Sequence, residues 1–224
     1  MPQQNNVQPK LANLRQHLVS LLQQTSDLDA GGLTILRTVI ERLNKREDVD
    51  QQAPRTNPLS DLLPLIKQAS VTLPTLCQNM VSSVMDLSDD LPWYQRPVAN
   101  NPSFMASHVN AQIIGPEGLE VRQDLIVGVT LMRPHIDYPD HQHEPEEIYL
   151  VLSEGHWRQE NIPWHTPGLG GLVYNPSNVF HGMKSLNKPL IALWCLPLDK
   201  PFTSFSPAAS ADASTVATNS LPTT

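Results

Sequence analysis

Apolar positions in the first ninety residues recur at helical spacing. From Lys10 onward, Leu11, Leu14, Leu18, Leu21 and Leu22 follow a three-four rhythm; Ser26 to Gly32 breaks it, and Leu33, Leu36, Val39, Ile40 and Leu43 resume it. Two such stripes predict amphipathic helices joined by a short loop and packed as an antiparallel pair. Lys45 to Pro58, charged and proline-containing, reads as a linker. Weaker helical signals follow at Leu62, Leu63 and Ile66, then at Leu76, Met80, Val81 and Val84, with Pro64 and Pro74 restricting where those helices begin. The leucine stripe is core, and the region up to about residue 90 carries no chemistry of its own. It is expected to cap the rest of the molecule or to form the surface of a homodimer.

From Leu91 the pattern changes. Met105 to Ile114 and Leu125 to Met132 are rich in β-branched and apolar residues and are separated by the turn signal Gly115-Pro116-Glu117-Gly118. Glu147 to Leu152, His156 to Gln159, Leu172 to Tyr174 and Leu190 to Leu196 continue as short strands, with glycines and prolines in the gaps. Many short strands at such spacing predict an antiparallel sandwich or barrel. The chain therefore divides into a helical region over residues 1–90, a β domain over 91–200 and a tail over 201–224. That tail, mostly Ser, Ala, Thr, Asn and Pro from Phe205 on, lacks the apolar surface to order itself.

Composition narrows the class. Twenty-one prolines against four phenylalanines favour short elements and many turns in these 224 residues. A net charge of −7 without any basic block argues against nucleic acid and against an anionic membrane surface as partners. No run of about 18 apolar residues is present, and Met1 to Pro9 lacks the basic-then-apolar order of a signal peptide. Cys77 and Cys195 lie far apart, outside any C-x-x-C spacing, and read as two reduced buried thiols. A cytoplasmic protein is expected.

The chemistry is concentrated in Tyr138-Pro139-Asp140-His141-Gln142-His143-Glu144-Pro145-Glu146-Glu147-Ile148-Tyr149. On an extended chain His141 and His143 share one face, as do Glu147 and Tyr149, while Ile148, Leu150 and Leu152 face the other way. Glu144-Pro145-Glu146 reads as a turn that brings Glu147 opposite the histidines. Imidazoles and a carboxylate suit one divalent metal ion, Fe2+, Zn2+ or Mn2+. His181, on a later segment that reads as a strand, completes the set. Asn178 before it stands where a turn wants a left-handed residue, a conformation Asn tolerates. His108, His135, His156 and His165 read as ordinary core or surface histidines.

These two segments resemble the paired motifs of the cupin superfamily, in which His-x-His, a Glu and a later His bind one divalent metal inside a jelly-roll β-barrel. Cupins usually carry glycine seven positions after the Glu; here Glu154 stands there and Gly155 follows. More narrowly, Tyr-Pro-x-His-x-His-x-Pro-Glu-Glu-x-Tyr resembles the dimethylsulfoniopropionate lyases of marine bacteria. The resemblance spans about Leu91 to Pro197, including the Leu91-Pro92-Trp93 lead-in and Trp194. It implies a cupin barrel behind N-terminal helices, metal ligands at His141, His143, Glu147 and His181, and functional tyrosines at Tyr149 and Tyr138.

The implied reaction is β-elimination of a sulfonium zwitterion to dimethyl sulfide and acrylate. Tyr149 has the parity to act as general base beside the metal, which would lower its pKa from about 10. Tyr138, of opposite parity to His141, reaches the site only if Pro139 bends or bulges the strand, and would bind substrate or assist the base. Aromatic faces can hold a sulfonium cation, which makes Trp194 and Trp93 the first candidates, with Trp157 and Trp164 as alternatives. The same ligands would also serve an Fe2+ dioxygenase or a non-catalytic cupin that binds a small molecule.

Overall fold

The computed structural model describes residues 7–24, 27–45 and 51–201. The tail expected beyond residue 201 lies outside the described residues, as does part of the linker. Four main helices come first: α1 (Val7–Leu22), α2 (Ala30–Leu43), α3 (Leu62–Ser70) and α4 (Thr75–Leu87). The break before α2 ends earlier than its glycines suggest. Asp29 caps the helix by accepting from the Gly32 N–H, so Gly31 and Gly32 fall inside its first turn. Pro64 lies in the first turn of α3, and Pro74 is the residue before α4.

After a short turn of helix, α5 (Pro102–Met105), the strands begin. Met105 thus belongs to that turn and not to the first strand. One sheet has six strands in the order β2 (Glu120–Val121), β1 (His108–Gly115), β3 (Leu125–Met132), β10 (Leu190–Pro197), β5 (Glu147–Val151) and β8 (Leu172–Asn175). The other has four: β4 (Asp137–His141), β9 (His181–Ser185), β6 (Gly155–Gln159) and β7 (Ile162–His165). Apart from the short parallel β1–β2 pair, neighbours in both sheets are antiparallel.

The long strands of the larger sheet are buried on both faces, and each face has its own partner. Val109, Ala111 and Ile113 of β1, Val127 and Val129 of β3, and Leu193 and Cys195 of β10 join a core that also contains Leu11, Leu14, Leu18 and Leu22 of α1. The alternate residues Ile126, Met132, Tyr149, Val151, Ala192 and Trp194 join a second core with Tyr138, Trp157 and Met183 of the smaller sheet. The helices are therefore a cover for the outer face of the six-stranded sheet. Each fully buried α1 leucine contributes on the order of 2 kcal/mol by leaving water. The expected α1–α2 pair is a secondary contact: α1 packs chiefly against α4, while α2 lies across β10, β5 and β3.

Both cysteines are free and buried. Among the described residues, no helix is long and apolar enough to cross a membrane.

One close approach within the larger sheet depends on a missing side chain. Gly128 of β3 is the cross-strand partner of Trp194, whose indole lies directly over it. A Cβ at Gly128 would overlap the Trp194 ring at Cζ2. Gly128→Ala is expected to push the indole aside and cost about 1–3 kcal/mol, as overpacking of a filled core does. Denaturant unfolding followed by tryptophan fluorescence measures both effects; unchanged stability would contradict the packing described.

Candidate metal centre

His141 ends β4, His143 follows in the loop, and His181 begins β9, all in or next to the smaller sheet. Residues 144–146 then carry the chain across to the larger sheet, where Glu147 opens β5 and Tyr149 follows on the same face. The site thus lies between the sheets. Two features hold the distant segments in register. His141 is the cross-strand partner of His181, and the Asn178 N–H donates to the His143 carbonyl at 2.8 Å. Asn178 adopts φ 59°, the left-handed geometry its place in the sequence calls for.

Among the described residues, one group of His, Cys, Asp or Glu side chains is gathered tightly enough to hold a metal: His141, His143 and His181, with ligand atoms within 4.8 Å of one another. All three are buried. Each ring is fixed in the same way. His141 Nδ1 faces the Pro139 carbonyl at 3.1 Å, His143 Nδ1 the Pro145 carbonyl at 2.7 Å, and His181 Nδ1 the Val179 carbonyl at 2.9 Å. A carbonyl has no proton to give, so each Nδ1 must carry the hydrogen. In the neutral ring the Nε2 lone pair is then left to face inward, the tautomer and orientation a metal requires.

Glu147 stands beside this group. Its Oε2 lies 3.1 Å from His181 Nε2 and 3.5 Å from His143 Nε2, and it accepts from Asn175 Nδ2 at 2.9 Å. Two donors bound at about 2.0–2.1 Å to one ion stand about 3.0–3.4 Å apart, so these separations suit neighbouring ligands. Asn175 is in turn held by Gln159 Nε2 at 2.7 Å, which supplies the outer layer that orients a ligating carboxylate.

Electrostatics tie the four together. Burial, then the charge of His181, pulls His141 well below the usual histidine range. Burial acts the same way on His143, but the hydrogen bond and charge of Glu147 outweigh it and leave that group raised. Burial pushes the Glu147 carboxyl up, and His143 and His181 reverse this, holding it well below the carboxylate range. Burial first, then the Glu147 charge, raises the Tyr149 phenol well above its ordinary value.

A cavity opens over His141, His143 and Glu147, lined also by Tyr138, Tyr149 and Trp194. Tyr138 gets there by a bulge. Four residues from Tyr138 to His141 oppose only three from Met183 to His181, so both side chains turn inward despite their odd spacing. The Tyr138 and His141 ring centroids are 5.2 Å apart.

Trp93 is a correction. It is buried in the helix-side core, where its Nε1–H donates to the Ser88 carbonyl at 2.7 Å. Its neighbour Tyr94 pairs with Asn110 at the edge of β1 and lines the cavity in its place, since adjacent residues of an extended segment face opposite ways. Trp157 is packed in the core between the sheets, and Trp164 lies under the cations of Arg158 and Lys184, 4.9 and 4.4 Å from its centroid. The bland expectation for His108 fits a fully buried ring bonded to backbone.

Sequence reasoning missed Tyr94, Arg96, Asn110 and Thr130, all of which line the cavity, and Asn175 behind Glu147. A signal was available for two of them. Thr130 is polar in the otherwise apolar strand β3, and Asn110 stands between the buried polar residues His108 and Gln112 of the same parity in β1.

A cupin-like fold with N-terminal helices, enclosing a buried three-histidine cluster fitted to a metal ion, defines the class. Within that class the chain belongs to the dimethylsulfoniopropionate lyase family, which its residues 31–192 match. It is 34% identical over 82 residues to dimethylsulfoniopropionate lyase DddQ of Ruegeria pomeroyi, covering 36% of this chain and 41% of that protein. It is 25% identical over 104 residues to a putative dimethylsulfoniopropionate lyase, DddL, of Cereibacter sphaeroides, covering 46% of this chain and 44% of that one. The chain thus matches less than half the length of these curated relatives. The fold is similar to a chain from a crystallographic study of the lyases RdDddP and RnDddQII, with a TM-score of 0.64 at 20% identity over 88% of this chain and 98% of that one. The crystal structure of DddQ from Ruegeria pomeroyi gives 0.61 at 21% identity over 87% and 94%.

Proposed function

We propose that this protein is a metal-dependent carbon–sulfur lyase that cleaves dimethylsulfoniopropionate to dimethyl sulfide and acrylate. The observation that carries the proposal is a buried trio of imidazoles with every Nδ1 tied to a carbonyl, two of them lining a cavity walled by tyrosines, in a chain of this family. His141, His143, His181 and Glu147 would hold one divalent ion, with Fe2+, Zn2+ and Mn2+ all suited to the set. Such an ion supplies Lewis acidity to the substrate carboxylate and favours ionisation of a nearby phenol.

The remaining work falls to the chain. Tyr149 takes the proton from the carbon next to the carboxylate. The electron pair left there forms the new double bond as the carbon–sulfur bond breaks, so dimethyl sulfide leaves with the sulfur electrons and acrylate remains. Burial of Tyr149 and Glu147 keeps water from competing for that proton. The face of Trp194 suits the sulfonium, which has no counter-charge to desolvate. Tyr138 contacts the substrate rather than the transferring proton.

Purified protein incubated with the substrate and a panel of divalent metals is expected to release dimethyl sulfide into the headspace with at least one of them, and to do so equally without oxygen. No gas under any metal would reject the proposal, and a requirement for oxygen would replace elimination by oxidation.

A further inference from the structure

The cavity wall that reaches His141 through Tyr138 contains a chain of side-chain hydrogen bonds that runs in one direction only. Trp194 Nε1 lies 3.1 Å from Thr130 Oγ1, Thr130 Oγ1 lies 2.6 Å from Asn110 Oδ1, and Asn110 Nδ2 lies 3.4 Å from the Tyr138 hydroxyl. Its polarity follows from the Trp194 end. An indole N–H can only donate, so Thr130 accepts there and spends its single proton on Asn110. The Asn110 atom facing Thr130 must therefore be its oxygen, which leaves the amide N–H to face Tyr138. The Tyr138 oxygen accepts that hydrogen, and the phenol proton remains to be given away.

The same wall carries the Arg96 guanidinium, 6.0 Å from the Tyr138 ring centroid and buried. Arg96 and Tyr94 sit two apart on one extended segment, which is why both line the cavity while Gln95 turns back to the Met105 and His108 carbonyls. The Arg96 backbone is pinned as well. Its N–H donates to His108 Nε2 at 3.0 Å, while His108 Nδ1 is bound to the Phe104 carbonyl at 2.7 Å and its ring stacks on Phe104 at 3.6 Å. Phe104 in turn meets Tyr138 edge-on at 4.8 Å. Donors on this wall are thus held in place before any ligand arrives.

We propose that Asn110 and Thr130 are positioning residues which, with Trp194, make the Tyr138 hydroxyl an obligate donor beside Arg96, so that this wall recognises a small carboxylate. The inference rests on the cavity being the substrate site and adds which end of a zwitterion this wall takes. Arg96 is the specificity-determining cation, suited to a carboxylate by its planar fork of donors. Asn110 and Thr130 act through Tyr138 alone.

Propionate, a carboxylate that cannot undergo the elimination, is the probe. Its binding to the full chain is measured by titration calorimetry, with metal content and melting temperature recorded for every variant. Thr130→Val keeps the shape and removes the relay; it is expected to weaken propionate about tenfold, the scale of one hydrogen bond to a charged group. Thr130→Ser restores the hydroxyl and should bind within about twofold of the original. Arg96→Gln should weaken propionate more than Arg96→Lys does. In the Tyr138→Phe background, Thr130→Val should cause no further loss, because the hydroxyl it directs is gone. Additive losses in that pair, or wild-type binding by Thr130→Val at unchanged metal content, would overturn the proposal. Propionate binding that follows this pattern in a protein releasing no dimethyl sulfide would keep the recognition wall and reject the lyase; the reverse result would do the opposite.

Discussion

His181→Ala is expected to strip the metal and with it all measurable turnover, while leaving the two sheets assembled. The ring is buried between His141 and Glu147, with centroids 4.2 Å apart for the two imidazoles and 3.1 Å from Nε2 to the carboxylate. Its removal withdraws one proposed ligand and also one of the two groups that hold the Glu147 carboxyl low. Loss of an outer partner costs roughly 10–100-fold in metal affinity, and loss of a ligand should exceed that. Asn175→Ala provides the internal comparison, since Asn175 touches Glu147 without belonging to the cluster. Metal content per chain after dialysis, read beside circular dichroism, checks the order: His181→Ala lowest, Asn175→Ala intermediate. Full occupancy in His181→Ala would remove His181 from the ligand set.

Tyr149→Phe tests the chemistry separately from the metal. The substitution deletes one oxygen and retains a ring already buried against Trp194 and Val173, its cross-strand neighbours. Metal content and stability should hold, while kcat falls by about 10²–10⁴, the range of general acid–base catalysis. The direction of the phenol's shift sharpens this expectation. Burial and Glu147 hold Tyr149 protonated well above its ordinary pKa in the protein itself, so a base at this position depends on the opposing charge of Arg96 and of a bound cation. Turnover should therefore rise with pH as the phenol ionises. Undiminished dimethyl sulfide release by Tyr149→Phe would move the base elsewhere in the cavity.

Much of the fold was legible because the relevant patterns are local. The leucine stripe of α1 and the apolar runs of β3 and β10 stand at or near their expected bounds, since helical and extended periodicities are properties of neighbouring residues. Which helices pair was not legible. The α1 stripe seeks any apolar face, and α4 fits it better than α2 does, because α2 is occupied by the sheet. The tryptophans show the same limit. Trp93 and Trp194 looked equivalent as aromatic residues near the motifs, but one parity step sends Trp93 into the helix-side core and Tyr94 into the cavity.

The sequence by itself determined which residue types gather at the candidate metal centre. His141, His143 and Glu147 come at spacings that an extended chain with one turn presents to a common point, and Asn178 marks the turn that delivers His181. Only the tertiary structure decided the rest of the cavity. A bulge is a mismatch between two strands, so the inward turn of Tyr138 exists only against β9. The Trp194–Thr130–Asn110 chain joins three strands through hydrogen bonds spanning 64 and 20 residues of sequence. Its direction follows from donor chemistry, but its members meet only when the sheet has formed.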